Sequence, residues 1–392
     1  MKKNILILLF CLTQQFLFAQ STFNFNSNDA LSLKKVKTLI GAGDPNMKAA
    51  LAELVKAADA ALNYRPVSVM EKKNNPPSGN KHDYMSLAPY FWPNPDTKDG
   101  LPYIRKDGQV NPEVNEYKDK EYLPQLCSVL ETLGLAYYFT NNERYATHTS
   151  KLINVWFLDA ATKMNPNLNY GQAVKGENDG RGAGLIDTRH LIKVVDAVSF
   201  MGNSPAWTSS QDQQLKNWFA DFLNWMQTSK NGTAELNATN NHGIWYDAQR
   251  LSFALYTNNN KVVNEVVESA EKRIASQMNS DGFFPAELAR TTSLHYSLFV
   301  VEAFIKVAQL SKGAGFDFWN YTAKNGNSLQ KACDVLMPYL LKDQIWTGQQ
   351  IKPFNFDEST PFFIAVAAKK NCTPCFDNII KNSKFKLLQT IY

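Results

Sequence analysis

Apolar residues recur every three or four positions along most of the chain, which is the spacing of one face of an α-helix. Gly, Pro and Asn cluster in the short breaks between these segments, where helices usually end. The pattern predicts helices over residues 31–40, 47–62, 122–139, 142–157, 185–201, 209–227, 243–256, 261–278, 294–310, 328–339 and 359–368. The alternation typical of β-strands is almost absent. Helices of this length, joined by short turns, favour an all-α fold, either a ring or a solenoid of helical hairpins.

One long segment, residues 64–116, breaks the helical pattern and holds many of the prolines. Loops of this length in a compact protein are usually functional or disordered. This one contains the run His82-Asp-Tyr-Met-Ser-Leu-Ala-Pro-Tyr-Phe-Trp-Pro93, which is too aromatic for a disordered segment. We therefore expect an ordered wall or lid over a groove. Four of its side chains are candidate substrate contacts: His82, Tyr84, Tyr90 and Trp92.

A second irregular segment, residues 169–184, is rich in glycine. It superficially resembles a phosphate-binding loop, but it lacks the Gly-Lys-Ser/Thr signature and no predicted strand precedes it. A tight bend where helices converge on a ligand explains its glycines better. The candidate ligand contacts in this segment are Tyr170, Gln172 and Arg181.

The first 19 residues have the pattern of a secretory signal peptide, with Lys2 and Lys3 ahead of a short apolar stretch. No later stretch of the sequence is long and apolar enough to cross a bilayer. We therefore expect an exported protein, periplasmic or secreted, with residues 20–392 in a single domain and no membrane insertion. Without the leader the formal charge falls from +5 to +3, because 39 basic side chains then face 36 acidic ones. This excess is too small to favour a nucleic-acid partner.

Four cysteines follow the predicted leader. Cys372 and Cys375 are separated by two residues, which favours a local disulfide in an exported protein. A single C-x-x-C pair without a second pair of ligands does not make a zinc site. Cys127 lies on an apolar helical face, so we expect a buried free thiol there.

Two short segments, residues 240–246 and 287–296, carry the candidate chemistry. They supply a histidine beside amides, an arginine, and a tyrosine six residues after that arginine: Asn241, His242, Arg290 and Tyr296. The five histidines of the chain show no helical metal-binding spacing, and the sequence has no G-x-S-x-G elbow. We therefore expect neither a helical metal site nor a serine hydrolase of that type. A carboxylate pair, as in a glycoside hydrolase, is not excluded by the sequence.

These four residue types suit the removal of a weakly acidic proton next to a carboxylate, as in β-elimination from a uronic acid. The carboxylate must first be neutralised so that an enolate-like state becomes accessible, which is a task for Arg, His and Asn. A base must then take the C5 proton, and an acid must protonate the departing O4. A tyrosine whose pKa is lowered by a neighbouring arginine can perform both steps.

Simpler interpretations of the same residues stay open. The Asn-Asn-His-Gly run could cap the helix that follows it. Arg290 could form a surface ion pair, and Tyr296 could be a core aromatic. His295 could be the working histidine, but neighbours on a helix point about 100° apart, so His295 and Tyr296 are not expected to share a role.

At these segments the sequence resembles the alginate-lyase superfamily of polysaccharide lyases. The resemblance covers most of the chain from about Ser86 to Tyr296. It is carried by the aromatic run that begins at His82, by Gly100-Leu-Pro-Tyr-Ile-Arg-Lys-Asp-Gly108, by Asn240-Asn-His242 and by Pro285-Ala-Glu-Leu-Ala-Arg290. It implies an all-α (α/α) toroid or incomplete barrel of about six or seven helical hairpins, and eliminative cleavage of a uronate polymer without a cofactor or a metal.

Carried over by motif, the resemblance implies that Asn241 and His242 neutralise the substrate carboxylate. Arg290 does the same or holds Tyr296 as a phenolate, and Tyr296 acts as base and then as acid. Trp245 and His295 are further candidate substrate contacts. The expected partner is an anionic polysaccharide, and the expected state of the protein is a monomer.

Stereochemistry narrows the expected substrate. In β-linked mannuronate and glucuronate the C5 hydrogen and the C4 oxygen lie on the same face, so one tyrosine can serve as base and acid in turn. In guluronate they lie on opposite faces, which calls for a histidine base and a tyrosine acid. The residues present permit either case; we favour mannuronate-rich alginate, with glucuronan as the alternative. A non-catalytic or hydrolytic acidic-polysaccharide protein on the same fold is the other class left open.

Overall fold

The computed structural model describes residues 26–370 and 372–389. The predicted signal peptide, residues 1–19, lies outside the described residues. The α-helices are α1 (Ala30–Gly41), α2 (Pro45–Ala61), α3 (Asp119–Thr140), α4 (Glu143–Ile153), α5 (Ile192–Phe200), α6 (Ser209–Thr228), α7 (Lys230–Leu236), α8 (Asn241–Tyr256), α9 (Asn260–Gln277), α10 (Pro285–Leu288), α11 (Ser293–Ser311), α12 (Leu329–Leu340), α13 (Thr360–Ala367) and α14 (Thr373–Ser383). The strands are β1 (Met85–Leu87), β2 (Phe91–Trp92), β3 (Ile104–Arg105) and β4 (Tyr170–Ala173).

An inner ring of helices surrounds a central axis. Following the ring, α2 packs on α3, α3 on α5, α5 on α8, α8 on α11, and α11 on α13. The ring is closed by the 3-10 helix Lys384–Gln389, which contacts both α13 and α2. Other helices pack on the outside: α4 against α3, α6 and α9 against α8, and α12 against α11. The fold class expected from the resemblance, an all-α (α/α) toroid, is confirmed.

The apolar pattern of each helix matches its place in this architecture. Most residues of α8 and α11 are buried, because each of these helices contacts neighbours on several sides. The outer helix α9 is amphipathic instead. Its buried apolar side chains recur every three or four residues, and they are Val262, Val263, Val266, Ala270 and Ile274.

Every predicted helix has a counterpart in the structure. The apolar pattern missed three α-helices, and it did not reveal that one predicted helix begins as a 3-10 helix. The missed helices are α7, α10 and α14. The first two are only 7 and 4 residues long, too short to show a helical period. Residues 185–201 are helical as predicted, but the segment begins as a 3-10 helix, Gly182–Leu191, and becomes an α-helix only at Ile192.

The irregular segment 64–116 is ordered and packs on the ring, as predicted. Its strand β1 pairs in parallel with β4, and β2 and β3 form an antiparallel pair. A buried ion pair joins Lys72 to Asp119 at 2.9 Å, and Asp119 also accepts a hydrogen bond from the Met85 backbone amide at 3.0 Å. Because either charge would be costly to bury alone, this pair holds the segment against the start of α3.

Two further expectations concern cysteines and membranes. Cys372 is disulfide-bonded to Cys375, and Cys127 is a buried free thiol, both as predicted. Across residues 26–370 and 372–389, none of the helices combines the length and the apolar character that crossing a membrane requires.

The contact between α3 and α5 depends on a glycine. A Cβ atom at Gly134 would lie 2.9 Å from the Cα and 3.0 Å from the carbonyl oxygen of Ala197 on α5. We expect Gly134→Val to lower the free energy of unfolding by about 1–3 kcal/mol, the usual cost of overpacking a core. Chemical denaturation measures this change.

The matched control is Gly41→Ala, because nothing lies within 4 Å of a Cβ at Gly41. A Gly134→Val protein as stable as the Gly41→Ala control would contradict the close approach of α3 and α5.

Candidate active site

A large cavity of about 1490 Å³ is lined by residues of the ring helices and of the irregular segment 64–116. All four residues singled out by the chemistry line it, namely Asn241, His242, Arg290 and Tyr296. Five of the predicted substrate contacts line it as well: Tyr90, Gln172, Arg181, Trp245 and His295. The fold therefore brings together groups that are up to about 200 residues apart in the chain.

Tyr296 lies in the first turn of α11 and is 7% exposed. Its hydroxyl is 2.9 Å from the hydroxyl of Tyr90, and the guanidinium carbon of Arg290 lies 3.5 Å from the centre of its ring. Burial, together with the Tyr90 hydroxyl, raises the pKa of Tyr296 far above its ordinary value, and the opposing effect of Arg290 is smaller. The expectation of a lowered tyrosine pKa is therefore wrong for the substrate-free site.

Arg290 has less influence on Tyr296 because its charge is already paired. Its Nε and Nη2 donate to Asp107 at 3.0 and 2.6 Å, and Asp107 also accepts from the backbone amide and hydroxyl of Thr291. Burial alone would raise the pKa of Asp107, but the hydrogen bonds from Arg290 prevail and hold it well below its usual range. The pair is not a surface ion pair, since the Arg290 side chain is only 14% exposed.

His242 is oriented by a buried carboxylate. Its Nδ1 lies 3.0 Å from Oε2 of Glu235, which is 4% exposed and belongs to α7. A carboxylate oxygen accepts a hydrogen bond, so this contact places a proton on Nδ1. Nε2 is then the ring nitrogen left for a ligand in the cavity. It accepts a proton when the ring is neutral and donates one when the ring is charged.

The Asn-Asn pair performs two different tasks. Asn240 is the N-cap of α8, and its side-chain oxygen accepts from the His242 backbone amide at 3.1 Å. The helix-capping interpretation is therefore right for Asn240. Asn241 is fully buried, and its backbone amide and Nδ2 both donate to the carboxylate of Glu287, at 2.6 and 2.9 Å. Asn241 Oδ1 has no hydrogen-bond partner among the described residues.

Three carboxylates that sequence reasoning missed therefore hold three of the catalytic candidates. Glu235 holds His242, Glu287 holds Asn241, and Asp107 holds Arg290. Asp107 and Glu287 lie within the motifs that carried the family resemblance, so the sequence did contain a signal that these two residues are functional. Glu235 gave none, because it lies on the short helix α7 that the apolar pattern did not reveal.

Hydrogen bonds within the protein also fix the other predicted substrate contacts that line the cavity. Gln172 accepts from Arg181 at 3.0 Å and donates to Asp187 at 3.0 Å. The Trp245 indole donates to a backbone carbonyl of α11, and His295 Nδ1 lies 2.9 Å from Glu358. The glycine-rich segment does bend tightly as expected, because a Cβ at Gly184 would collide with the backbone of Gly171.

Four predicted substrate contacts do not line the cavity, which is a correction to the sequence analysis. Tyr84 is fully buried, and its hydroxyl donates to Asp187 at 3.3 Å. His82 Nδ1 lies 2.6 Å from the Lys163 carbonyl oxygen. Trp92 donates to the Gln109 carbonyl, and Tyr170 packs with the buried cluster beneath β1 and β4. These side chains hold the aromatic segment in place.

The family model for alginate lyase matches residues 68–346. An alginate lyase from Bacteroides ovatus is 39% identical, with a TM-score of 0.86 over 94% of this chain and 99% of that one. Alginate lyase A1-III from Sphingomonas species A1 is 16% identical, with a TM-score of 0.57 over 94% and 96%, a likeness of fold alone.

A histidine-to-alanine variant of alginate lyase A1-III, complexed with a tetrasaccharide, is 15% identical and has a TM-score of 0.60 over 95% of this chain and 96% of that one. No curated protein sequence matches the chain. The family model covers well over half of the chain, and the Bacteroides ovatus enzyme is similar over nearly all of it. The chain therefore belongs to the alginate lyase family and is a polysaccharide lyase.

Proposed function

We propose that this protein cleaves alginate by β-elimination and prefers its mannuronate-rich stretches. One observation carries the proposal. The hydroxyl of Tyr296, with Arg290 stacked on its ring, faces the same cavity as Asn241 and His242. This arrangement places Tyr296, which can transfer protons, in the same cavity as several hydrogen-bond donors for a carboxylate. The related structures are alginate lyases, and one of them holds a tetrasaccharide, which supports this substrate class.

The first step is neutralisation of the uronate carboxylate. The donors are the second amide hydrogen of Asn241 and, with the His242 ring protonated on both nitrogens, His242 Nε2; both groups are held in place by carboxylates behind them. Pre-oriented donors stabilise the enolate-like charge without reorganisation at the moment of reaction.

Tyr296 then takes the proton from C5. The C5–H electron pair forms the C4–C5 double bond, the C4–O4 bond breaks, and the departing O4 receives a proton from the Tyr296 hydroxyl. Because the C5 hydrogen and the O4 of β-linked mannuronate lie on the same face, a single group reaches both. This geometry supports mannuronate over guluronate as the preferred residue.

The raised pKa of Tyr296 sets a condition on this mechanism. In the free enzyme its hydroxyl is protonated at neutral pH, so the proton must leave before Tyr296 can act as a base. The Tyr90 hydroxyl lies 2.9 Å away and Tyr90 lines the cavity, so it can accept the Tyr296 proton while releasing its own proton to solvent in the cavity. Tyr90 therefore belongs to the proton-transfer machinery in this proposal.

Elimination leaves a double bond conjugated to a carboxylate, which absorbs ultraviolet light, whereas hydrolysis does not. We expect ultraviolet absorbance to rise fastest with polymannuronate and more slowly with polyguluronate and glucuronan. Continuous absorbance assays on the three polymers measure these rates. A faster rise with glucuronan would overturn the substrate preference, and new reducing ends without absorbance would overturn elimination.

Removing the Tyr296 hydroxyl tests the proton-transfer role. We expect Tyr296→Phe to abolish measurable kcat, because in this mechanism the Tyr296 hydroxyl moves both protons, while oligosaccharide binding persists. Steady-state kinetics and calorimetric binding measure the two effects. Tyr103→Phe is the matched control, since the Tyr103 hydroxyl bonds to Glu113 outside the cavity. Near-normal turnover by the Tyr296→Phe protein would exclude Tyr296 as the base.

Asp107 holds Arg290 against Tyr296, so we expect Asp107 to affect the reaction by positioning Arg290. We expect Asp107→Asn to lower kcat by about 10–100-fold, because a displaced catalytic group is costly even when the displacement is small. KM should change much less. Steady-state kinetics of this variant and of Asp96→Asn, an exposed aspartate on the same segment, measure the effect. Equal kcat in the two variants would show that Arg290 needs no such support.

A further inference from the structure

Arg273 on the outer helix α9 reaches inward to the segment that joins α7 to α8. This segment, residues 236–240, is called the connecting turn. Arg273 Nη2 donates to the Leu236 carbonyl at 2.6 Å, and Nη1 donates to the Ala238 carbonyl at 2.5 Å. A helix leaves its last carbonyl groups without partners of its own, and arginine side chains can satisfy them. One guanidinium group therefore holds two carbonyl groups of the connecting turn.

The third contact of this guanidinium group fixes it to α8. Arg273 Nε donates to Asp247 at 2.7 Å, and the fully buried Asp247 also accepts from the Ser269 hydroxyl at 2.6 Å. Arg273 is itself buried and does not line the cavity. The planar guanidinium group holds its donors in fixed directions, which the ammonium group of a lysine does not do. The side chain thus joins α9, α8 and the connecting turn as a rigid clamp.

The clamp explains the glycine in the run Asn240-Asn-His-Gly243. A Cβ atom at Gly243 would lie 2.2 Å from Arg273 Nη1 and 2.2 Å from the Ala238 carbonyl oxygen. Any larger residue would therefore displace the guanidinium group or the connecting turn. Helix capping by Asn240 does not require a glycine at this position, whereas the clamp does.

The path of the connecting turn decides whether Glu235 meets His242. These residues lie on different helices, on either side of the turn, and Glu235 Oε2 is 3.0 Å from His242 Nδ1. Helix α7 has only 7 residues, so contacts with its neighbours, rather than its own helical hydrogen bonds, must fix its position. A displacement of about 1 Å would take the contact between the two side chains beyond hydrogen-bond range.

We propose that Arg273 is a positioning residue for the elimination reaction. It holds the connecting turn so that Glu235 stays bonded to His242, and the imidazole then presents Nε2 to the cavity. Because Arg273 does not line the cavity, it acts only through the groups that it holds. This inference rests on the proposed function, in which His242 neutralises the substrate carboxylate and must do so from a fixed direction.

Replacing Arg273 by lysine tests the clamp while keeping a positive charge beside Asp247. Lysine does not reproduce the fork that spans the two carbonyl groups, so His242 loses its fixed direction. We expect Arg273→Lys to lower kcat by about 10–100-fold, since a displacement of about 1 Å is costly even when its origin is remote. KM should change less, because the donor matters most in the transition state. Steady-state kinetics on polymannuronate measure both constants, and thermal unfolding establishes that the variant is folded.

Arg250→Lys is the matched control. Arg250 is 4% exposed and lies 3.7 Å from the same Asp247, but its hydrogen bond goes to Glu265 on α9 and not to the connecting turn. If Arg273 only neutralised a buried charge, the two substitutions would have similar effects. The clamp predicts normal kcat for Arg250→Lys alone. Equal kcat values in Arg250→Lys and Arg273→Lys would overturn the inference.

A double substitution tests the route through Glu235. Glu235→Met removes the acceptor that His242 uses, so adding Arg273→Lys to it should cause no further loss of kcat. Losses that multiply in the double variant would show that Arg273 acts elsewhere, and they would overturn the inference.

Gly243→Ala disturbs the same contact without changing a charge, and it serves as the test if Arg273→Lys does not fold. Its methyl group needs the space that Arg273 Nη1 occupies, so we expect a similar loss of kcat. Gly41→Ala is the control, because nothing lies within 4 Å of a Cβ there. Wild-type kcat in folded Gly243→Ala would contradict the clamp.

NMR of the histidine rings labelled with nitrogen-15 tests the clamp without relying on activity. The Nδ1 proton of His242, bonded to Glu235, should give a downfield signal that is identified by its absence in His242→Gln. We expect this signal in the wild type and in Arg250→Lys, and its loss in Arg273→Lys. Its persistence in Arg273→Lys would overturn the inference, whatever the activity. A wild-type enzyme that forms no unsaturated product would instead overturn the proposed function, while the NMR signal would still report whether the clamp holds His242.

Discussion

The ion pair between Asp107 and Arg290 joins the aromatic segment to the part of the ring that carries the proposed base. These residues are 183 positions apart in the chain, and both side chains are largely buried. The pairing places the guanidinium over the Tyr296 ring, and Tyr90 from the same segment reaches the Tyr296 hydroxyl. The reactive geometry therefore exists only when the segment is docked on the ring, and the Lys72 and Asp119 pair fixes its other end.

A site for an anionic polymer is expected to avoid acidic residues, yet carboxylates surround this one. Glu235, Glu287 and Asp107 lie behind the polar groups that face the cavity, and each accepts hydrogen bonds from one of them. They hold the donors in fixed directions at the cost of some negative charge near the substrate. At Glu287 burial raises the pKa against the opposing effect of the hydrogen bonds from Asn241. Fixed donors are what an enolate-like transition state requires.

The sequence predicted those features that depend on local pattern. The apolar period of α8, α9 and α11 identified helices, and the residue types at Asn241, His242, Arg290 and Tyr296 identified the chemistry. Features that depend on the approach of distant segments were missed. The Glu235 contact to His242 requires a short helix without a clear period, and the raised pKa of Tyr296 depends on burial that only the folded ring creates.

In the aromatic segment, residues 64–116, the sequence predicted the ordered structure but not the direction in which each side chain points. Its composition correctly indicated an ordered structure over a cavity, but composition does not say which face of an irregular segment points inward. Tyr90 faces the cavity, whereas Tyr84 is buried against Asp187 and Trp92 bonds to the backbone of its own segment. An aromatic residue on such a segment serves either the ligand or the packing, and only tertiary contacts distinguish the two.

The closure of the ring has a consequence for how the protein folds. The 3-10 helix Lys384–Gln389 packs on α2, although more than 300 residues of chain separate them. Joining such distant segments carries a large entropy of loop closure, so contacts of this kind form late. The α8 and α11 pair, close in sequence, can bring Asn241, His242 and Tyr296 together earlier. We therefore expect the reactive groups to assemble before the barrel is sealed, with the enclosed volume behind them as the last feature to form.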